Sequence, residues 1–210
     1  MKKKTILYLI AIMILSTLVI IVCSILDCSL NKYRGLNNKY NELGEKVDKL
    51  SNELRAYWFS ELDTLNTDIK IVNSYGDTLV LSDLISHSPK VVYRFTELDC
   101  IDCVIKEIDD IKKLSSKIGR GNIVILTTYD QVRKLVAFKR TNHIEIEIYN
   151  IDKHALNLVA EEINTPYIFV ISKNMVVENL YIPNDLFSEI SQYYYSSLIM
   201  KYSDYWLNKQ

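Results

Sequence analysis

The chain has 210 residues, a formal net charge of -1 at neutral pH and 49% hydrophobic residues. That balance excludes a globally basic surface of the kind that attracts nucleic acid. Five glycines and three prolines leave no room for low-complexity linkers, and no internal repeat at solenoid periods is visible.

The N-terminus reads MKKKTILYLIAIMILSTLVIIVCSILDCSL. Lys2 to Lys4 precede an uncharged run from Thr5 to Leu26, and about 20 such residues cross a bilayer core as a helix. Lysines ahead of the span hold the N-terminus in the cytoplasm, so the chain after Asp27 is expected outside it. A cleaved signal peptide has an apolar core of about 7–15 residues and a small-x-small cleavage site, and neither is present. A lipoprotein needs a small residue before its modified cysteine, but Cys23 follows Val22 and Cys28 follows Asp27. Residues 1–27 therefore read as an uncleaved transmembrane signal anchor. Disulfides persist on the far side of that membrane. Cys23 lies within the span as an apolar residue. Cys28 lies at the membrane exit, where an interchain link, a free thiol and lipid modification all stay open.

Residues 28–64 read as a helical stalk. Tyr33, Leu36, Tyr40, Leu43, Val47, Leu50, Leu54 and Tyr57 alternate steps of three and four, a heptad seam between polar residues. Gly35 and Gly44 each weaken such a helix by about 1 kcal/mol. Two readings stand. One is a short parallel coiled coil that makes a homodimer and lifts a domain off the membrane; the other is a single helix whose stripe lies on that domain or on the bilayer.

Residues 65–210 change period and read as one domain. TDIKIVNSYGDTLVL is a hairpin turning at Tyr75-Gly76-Asp77, and LSDLISHSP is a turn or brief helix. KVVYRF is a strand. The stretch from Cys100 carries Val104, Ile108, Ile111, Leu114 and Ile118 on one helix face, with GRG at 119–121 as its stop. NIVILTT is a strand covered on both faces. Asp130 is expected to cap a helix to about Arg140. IEIEIY is a strand, KHALNLVAEEI a helix and TPYIFVIS a strand, followed by a turn at Lys173-Asn174 and the strand MVVENLYI. Asn184 and Asp185 are expected to open a last helix to about Trp206. This order predicts an α/β domain with a mixed, mostly parallel sheet between helices. The tail SQYYYSSLIMKYSDYWLNKQ, with Tyr193 to Tyr195, Leu198, Tyr202 and Trp206, reads as that helix covering the sheet. Asp109-Asp110 and Lys112-Lys113 read as its solvated counterpart on the helix after Cys100.

Two cysteines three positions apart, Cys100 and Cys103, fall at a helix start. Unpaired N–H groups and the helix dipole favour negative charge there, which lowers a thiol pKa. One turn on, the second sulfur can reach the first and resolve a mixed disulfide. Against this, Glu97, Asp99 and Asp102 crowd Cys100 with like charge, and one near charge shifts a pKa by about 1–3 units. A thiol less acidic than in strong oxidants is expected. That leaves a reductant, an isomerase-like role or reduced activity open.

The stretch LVLSDLISHSPKVVYRFTELDCIDC, together with Thr165-Pro166 ahead of a strand–turn–strand, resembles membrane-anchored thioredoxin-like proteins of the TlpA/ResA type in the redoxin superfamily. The likeness covers roughly residues 68–185. It implies a thioredoxin-like fold, Cys100 as attacking thiol and Cys103 as resolving thiol. It also implies a cis Pro166 that forms, with Thr165, the wall where a substrate cysteine docks. Trp before the first cysteine and Pro between the two are absent. Arg94 stands where thioredoxins carry a buried acid; it either offsets the acidic flank or makes a surface ion pair.

Zinc would need about four ligands, and no second cysteine pair exists. His154 reads as a solvated or capping residue, and His87 and His143 fall in loops. Glu97 stands three residues before Cys100, where a peroxidatic cysteine would need Thr or Ser. No metal or cofactor is expected. The expected function is an extracytoplasmic thiol–disulfide oxidoreductase acting on cysteine-containing protein substrates, with a thiol or disulfide electron partner. The alternative is a non-catalytic member of the fold serving binding or assembly.

Overall fold

The computed structural model describes residues 2–85, 88–183 and 188–206. The chain divides into two compact units, Met1–Ser51 and Asn52–Gln210. The described residues of the first unit are helical and belong to helix α1 (Lys2–Ser60). Among the described residues this is the one helix long and apolar enough to cross a membrane, with a mean hydropathy of 2.4 over its most apolar window. Its side chains from Ile12 to Leu26 are exposed, and so are Tyr33, Leu36, Tyr40, Leu43, Val47 and Leu50. Glu42 accepts a hydrogen bond from Lys46 Nζ at 2.6 Å, one helical turn on.

In the second unit the last turns of α1 bury Ala56 and Ser60, while Leu54 and Tyr57 remain exposed. Ser60 Oγ accepts the backbone N–H of Ala160 at 3.0 Å. Glu61 accepts the N–H groups of Asn179 and Leu180, both at 2.8 Å.

Seven strands form one sheet among the described residues: β1 (Lys70–Val72), β2 (Thr78–Val80), β3 (Lys90–Thr96), β4 (Ile123–Thr128), β5 (Glu147–Ile151), β6 (Tyr167–Ile171) and β7 (Val177–Tyr181). Their order is β2-β1-β5-β4-β3-β6-β7. The β1–β2 hairpin turns where expected. Asn73 Oδ1 accepts the N–H groups of Tyr75 and Asp77, and Gly76 takes φ 93°, a conformation that costs other residues strain. Helices α3 (Ile101–Ile118) and α4 (Val132–Thr141) carry the chain from β3 to β4 and from β4 to β5. Those two pairings are parallel, and the other four are antiparallel. The parallel share is thus confined to the centre, where the crossover helices α3 and α4 return the chain to run in the same direction; β6 and β7 are joined by a turn that reverses the chain.

Period-two alternation divides the core. Val91, Tyr93 and Phe95 of β3 face α3, α4 and α5 (Ser188–Trp206), among residues such as Val104, Ile111 and Leu198. Val92 faces the other side, with Ala56, Leu156, Ala160 and Phe169. Ile168 and Phe169 on β6 are wholly buried, each contributing about 1.5–3 kcal/mol. The terminal helix covers the sheet as expected. Leu198, Tyr202 and Trp206 are buried, and Trp206 Nε1 donates to Pro89 O at 2.9 Å. A short helix α2 (Leu81–Ile85) follows β2.

Two local expectations fail. Residues 153–163 do not form an α-helix: His154 and Asn157 take left-handed backbone, and only a 3₁₀ turn, Val159–Ile163, follows. Asp130 does not cap α4. Gln131 holds that position without a side-chain bond, and Asp130 instead pairs with Lys134 at 2.7 Å. The expected helix opening at Asn184 and Asp185, and the loop place of His87, lie outside the described residues.

Candidate functional site

The strand β3 ends at Thr96, and the four residues from Glu97 to Cys100 lead into α3. Cys100 is the N-cap: its Sγ accepts the N–H of Cys103 at 3.3 Å, and its carbonyl accepts that of Val104 at 3.0 Å. A sulfur in this place meets N–H groups that the helix cannot satisfy internally. Cys100 is exposed and Cys103 half-buried. Their sulfurs lie at disulfide-bonding distance, with the Cα atoms 5.3 Å apart. Cys23 and Cys28 are unpaired and exposed. Among the described residues no cluster of three or more His, Cys, Asp or Glu could hold a metal.

The acidic flank is smaller than the sequence suggests. Glu97 is held by Lys134 at 3.1 Å. Asp99 turns inward, where its Oδ2 accepts the N–H of Thr96 at 2.6 Å. Burial pushes the Asp99 carboxyl up from its ordinary value, against the lowering pull of the Thr96 hydrogen bonds and the Arg94 charge. Asp102, in the first turn of α3, is exposed to solvent.

Strand register brings the later segment to the same end of the sheet. β6 runs antiparallel to β3 with Arg94 opposite Tyr167. Thr165 and Pro166, just before Tyr167, therefore sit where β3 runs out toward Cys100. Thr165 shares a cavity with Leu98 and Asp99. Pro166 is buried, and its peptide is not cis, since no cis bond occurs among the described residues. The expected cis bond is thus corrected to trans; Thr165 lines the cavity, and Pro166 is buried. Asn164, with φ 46°, supplies the local turn ahead of it.

Arg94 is neither a surface residue nor a simple partner of the flank. Its side chain is 2% exposed. Nη1 donates to the Phe95 carbonyl at 2.6 Å, and Nη2 to Thr128 Oγ1 at 2.7 Å. Nη2 also approaches Glu161 Oε1 at 3.4 Å. Glu161 and Tyr167 escaped the sequence reading. The pattern KHALNLVAEEI puts Glu161 in a helix that does not form, and the pairing of Tyr167 with Arg94 is legible only once β3 and β6 are in register.

The second unit has a thioredoxin-like fold, with the cysteine pair at the start of the helix after the central β3 strand. No protein-family model matches the sequence, and the search of curated proteins finds no relative. Solved structures do resemble it. A candidate protein disulfide isomerase from Bacteroides thetaiotaomicron is 17% identical, with TM-score 0.50 over 70% of this chain and 90% of that one. A candidate thiol:disulfide interchange protein DsbE from Chlorobium tepidum is 14% identical, with TM-score 0.50 over 65% and 98%. The peroxidoxin BcpB from Mycobacterium tuberculosis is 16% identical, with TM-score 0.50 over 68% and 97%. At these identities the likeness is one of fold.

Proposed function

We propose that the protein is a membrane-anchored thiol–disulfide oxidoreductase whose domain acts outside the cytoplasm on cysteines of other proteins. The observation that carries this reading is an exposed sulfur capping a helix with a second sulfur in bonding reach one turn on. In the reducing direction the Cys100 thiolate attacks a substrate disulfide and expels one substrate thiolate. Cys103 then attacks Cys100 Sγ, closing the internal disulfide and releasing the second thiolate. Two electrons pass to the substrate, and the reverse sequence oxidises a dithiol. The helix terminus favours the attacking thiolate, and the pairing of Glu97 with Lys134 removes part of the opposing charge.

The apolar N-terminal helix and the lysines before it support the anchor and its orientation. For the stalk, a second copy of the chain is the favoured partner. Where α1 packs onto the domain it does so through Ala56 and Ser60, while Leu54 and Tyr57 of the heptad seam stay exposed. Leu54 and Tyr57 thus do not anchor the end of α1 in the domain core, and Leu at each of the 36, 43 and 50 positions suits parallel pairing.

The test replaces Cys103 with Ala in the full-length chain. The variant is expected to accumulate mixed disulfides through Cys100 that a reductant releases. If none accumulate, and the wild-type pair exchanges with no protein disulfide, the non-catalytic reading of the fold takes its place.

A further inference from the structure

Helix α3 buries one carboxylate, Glu107, which is 5% exposed. The exchange chemistry above assigns it no part. It stands four positions after Cys103, so the two side chains are neighbours on one helix stripe, about 5–6 Å apart at Cβ. Helical side chains lean toward the N-terminus, so Glu107 reaches back over the turn that carries Cys103. Tyr195 of α5 donates its hydroxyl to Glu107 Oε1. Tyr93 of β3 lies against the same turn and donates its hydroxyl to the Val104 carbonyl at 3.4 Å. Burial, then the charges of Glu107 and Asp99, push the Tyr93 phenol well above its ordinary value. Burial and Glu107 do the same to Tyr195. Both phenols therefore stay protonated, as hydrogen-bond donors and not as bases.

The two sulfurs differ in what supports their thiolates. Cys100 Sγ has the Cys103 N–H at 3.3 Å and the helix terminus. Cys103 lies one turn in and is half-buried, which keeps a thiol protonated at neutral pH. Only a thiolate attacks a disulfide sulfur, so the resolving step needs a proton acceptor. The other carboxylates near the pair are engaged or misplaced. Glu97 pairs with Lys134 at 3.1 Å. Asp99 accepts the Thr96 N–H and lines the cavity beside Arg94. Asp102 adjoins Cys103 in sequence, and residues at that spacing do not face each other on a helix.

We propose that Glu107 is the proton acceptor for the resolving thiol and that Tyr195 positions it. The inference rests on the exchange reading above. In the reducing direction the Cys103 S–H proton passes to the Glu107 carboxylate as Cys103 Sγ bonds to Cys100 Sγ. The bond between Cys100 and the substrate sulfur breaks, and that sulfur leaves with the electron pair and takes a proton from solvent. Glu107 then returns its own proton to solvent. In the oxidising direction protonated Glu107 gives its proton to Cys103 as the internal disulfide opens.

The experiment uses the reduced full-length chain in detergent micelles, with Cys23→Ser and Cys28→Ser so that only the pair reacts. The probe is a disulfide-linked dimer of a single-cysteine peptide. Acid quenching and mass spectrometry count the peptide adduct and the internal disulfide over time. Glu107→Gln keeps an oxygen for the Tyr195 hydroxyl and loses the base. It is expected to form the adduct at the wild-type rate and to resolve it about a hundredfold more slowly at pH 7, the lower end of what a positioned base contributes. The deficit is expected to shrink about tenfold per pH unit and to close near pH 9, where Cys103 ionises unaided. Glu107→Asp is expected to restore part of the rate. Tyr195→Phe is expected to slow resolution about threefold, the worth of one hydrogen bond. A merely structural loss would slow both steps at every pH. Should Glu107→Gln unfold, the wild-type profile decides: resolution flat from pH 6 to 8 supports the acceptor, and a tenfold rise per unit overturns it. Resolution at the wild-type rate in folded Glu107→Gln at pH 7 would overturn the assignment and leave the oxidoreductase intact. So would a deficit that Asp99→Asn reproduces in full, since that carboxylate would then be the base. A wild-type chain that forms neither adduct nor internal disulfide would remove the exchange reading, and this inference with it.

Discussion

The first fifty residues and the domain beyond them use the same apolar residue types to opposite ends. In the domain Ile168 and Phe169 are wholly buried between layers of side chains. In the helical unit Leu36, Leu43 and Val47 are 67%, 60% and 57% exposed. Most of the domain's described leucines and isoleucines are buried, with Leu62, Leu98, Ile101 and Ile190 among its exposed exceptions, whereas the described apolar side chains of the helical unit are exposed. A sequence with a sound hydrophobic pattern in both regions thus describes one finished core and one surface that needs something outside the chain, whether lipid or a second copy.

The sharpest way to break this contrast is to truncate one side chain from each region. Phe169→Ala is expected to cost the domain about 3–5 kcal/mol, because the cavity it leaves at the centre of the sheet cannot collapse. Leu43→Ala is expected to leave domain unfolding within about 0.5 kcal/mol of wild type. Urea denaturation followed by near-ultraviolet circular dichroism reads both. Equal losses would mean that helix and domain unfold as one cooperative unit.

A second measurement sharpens the contrast by asking what covers the helix. In a chain whose four native cysteines are serine, Val47→Cys lies on the seam and Glu45→Cys on the outer face. Disulfides need Cα atoms within about 7 Å, so oxidation in membranes is expected to link Val47→Cys chains and spare Glu45→Cys chains. Cys28 follows Leu26 by two positions and falls off the seam if the heptads continue, so it is expected not to cross-link readily in the wild type. Equal linkage at both engineered positions would point to random collision and sink the paired stalk.

How much of this was legible beforehand differs by the range of the interaction involved. The Asn73–Asp77 turn, the strand Lys90–Thr96 and the helix from Cys100 to Gly119 follow from local pattern, and they stand where the sequence put them. The helix start also fixed the cysteine geometry, since a spacing of three is one turn. Features set by tertiary context were not legible. Nothing in VAEEI announces that Glu161 will meet Arg94 across 67 positions, and left-handed His154 and Asn157 defeat an apparently helical pattern there. Asp130 has the chemistry of a cap, but Lys134 engages it instead. The trans bond at Pro166 corrects an expectation that came from family likeness alone, and no residue near it in the sequence argued for cis or trans.

The smallest expected effect concerns Asp99, the carboxylate immediately before Cys100. Burial raises its pKa, while the Thr96 hydrogen bonds and the Arg94 charge oppose that rise. With the folded value above that of the unfolded chain, the folded state holds this proton more tightly. The associated stability is complete below the unfolded pKa, near 3.9, and is lost as pH rises through the folded value. At neutral pH the ionised carboxylate is therefore a cost that the domain carries. Asp99→Asn keeps an oxygen for the Thr96 N–H and removes the titration. The variant is expected to gain stability relative to wild type as pH climbs from 3 to 7, measured by urea denaturation at each pH. A variant that instead loses ground as pH rises would show that the hydrogen bond and Arg94 outweigh burial.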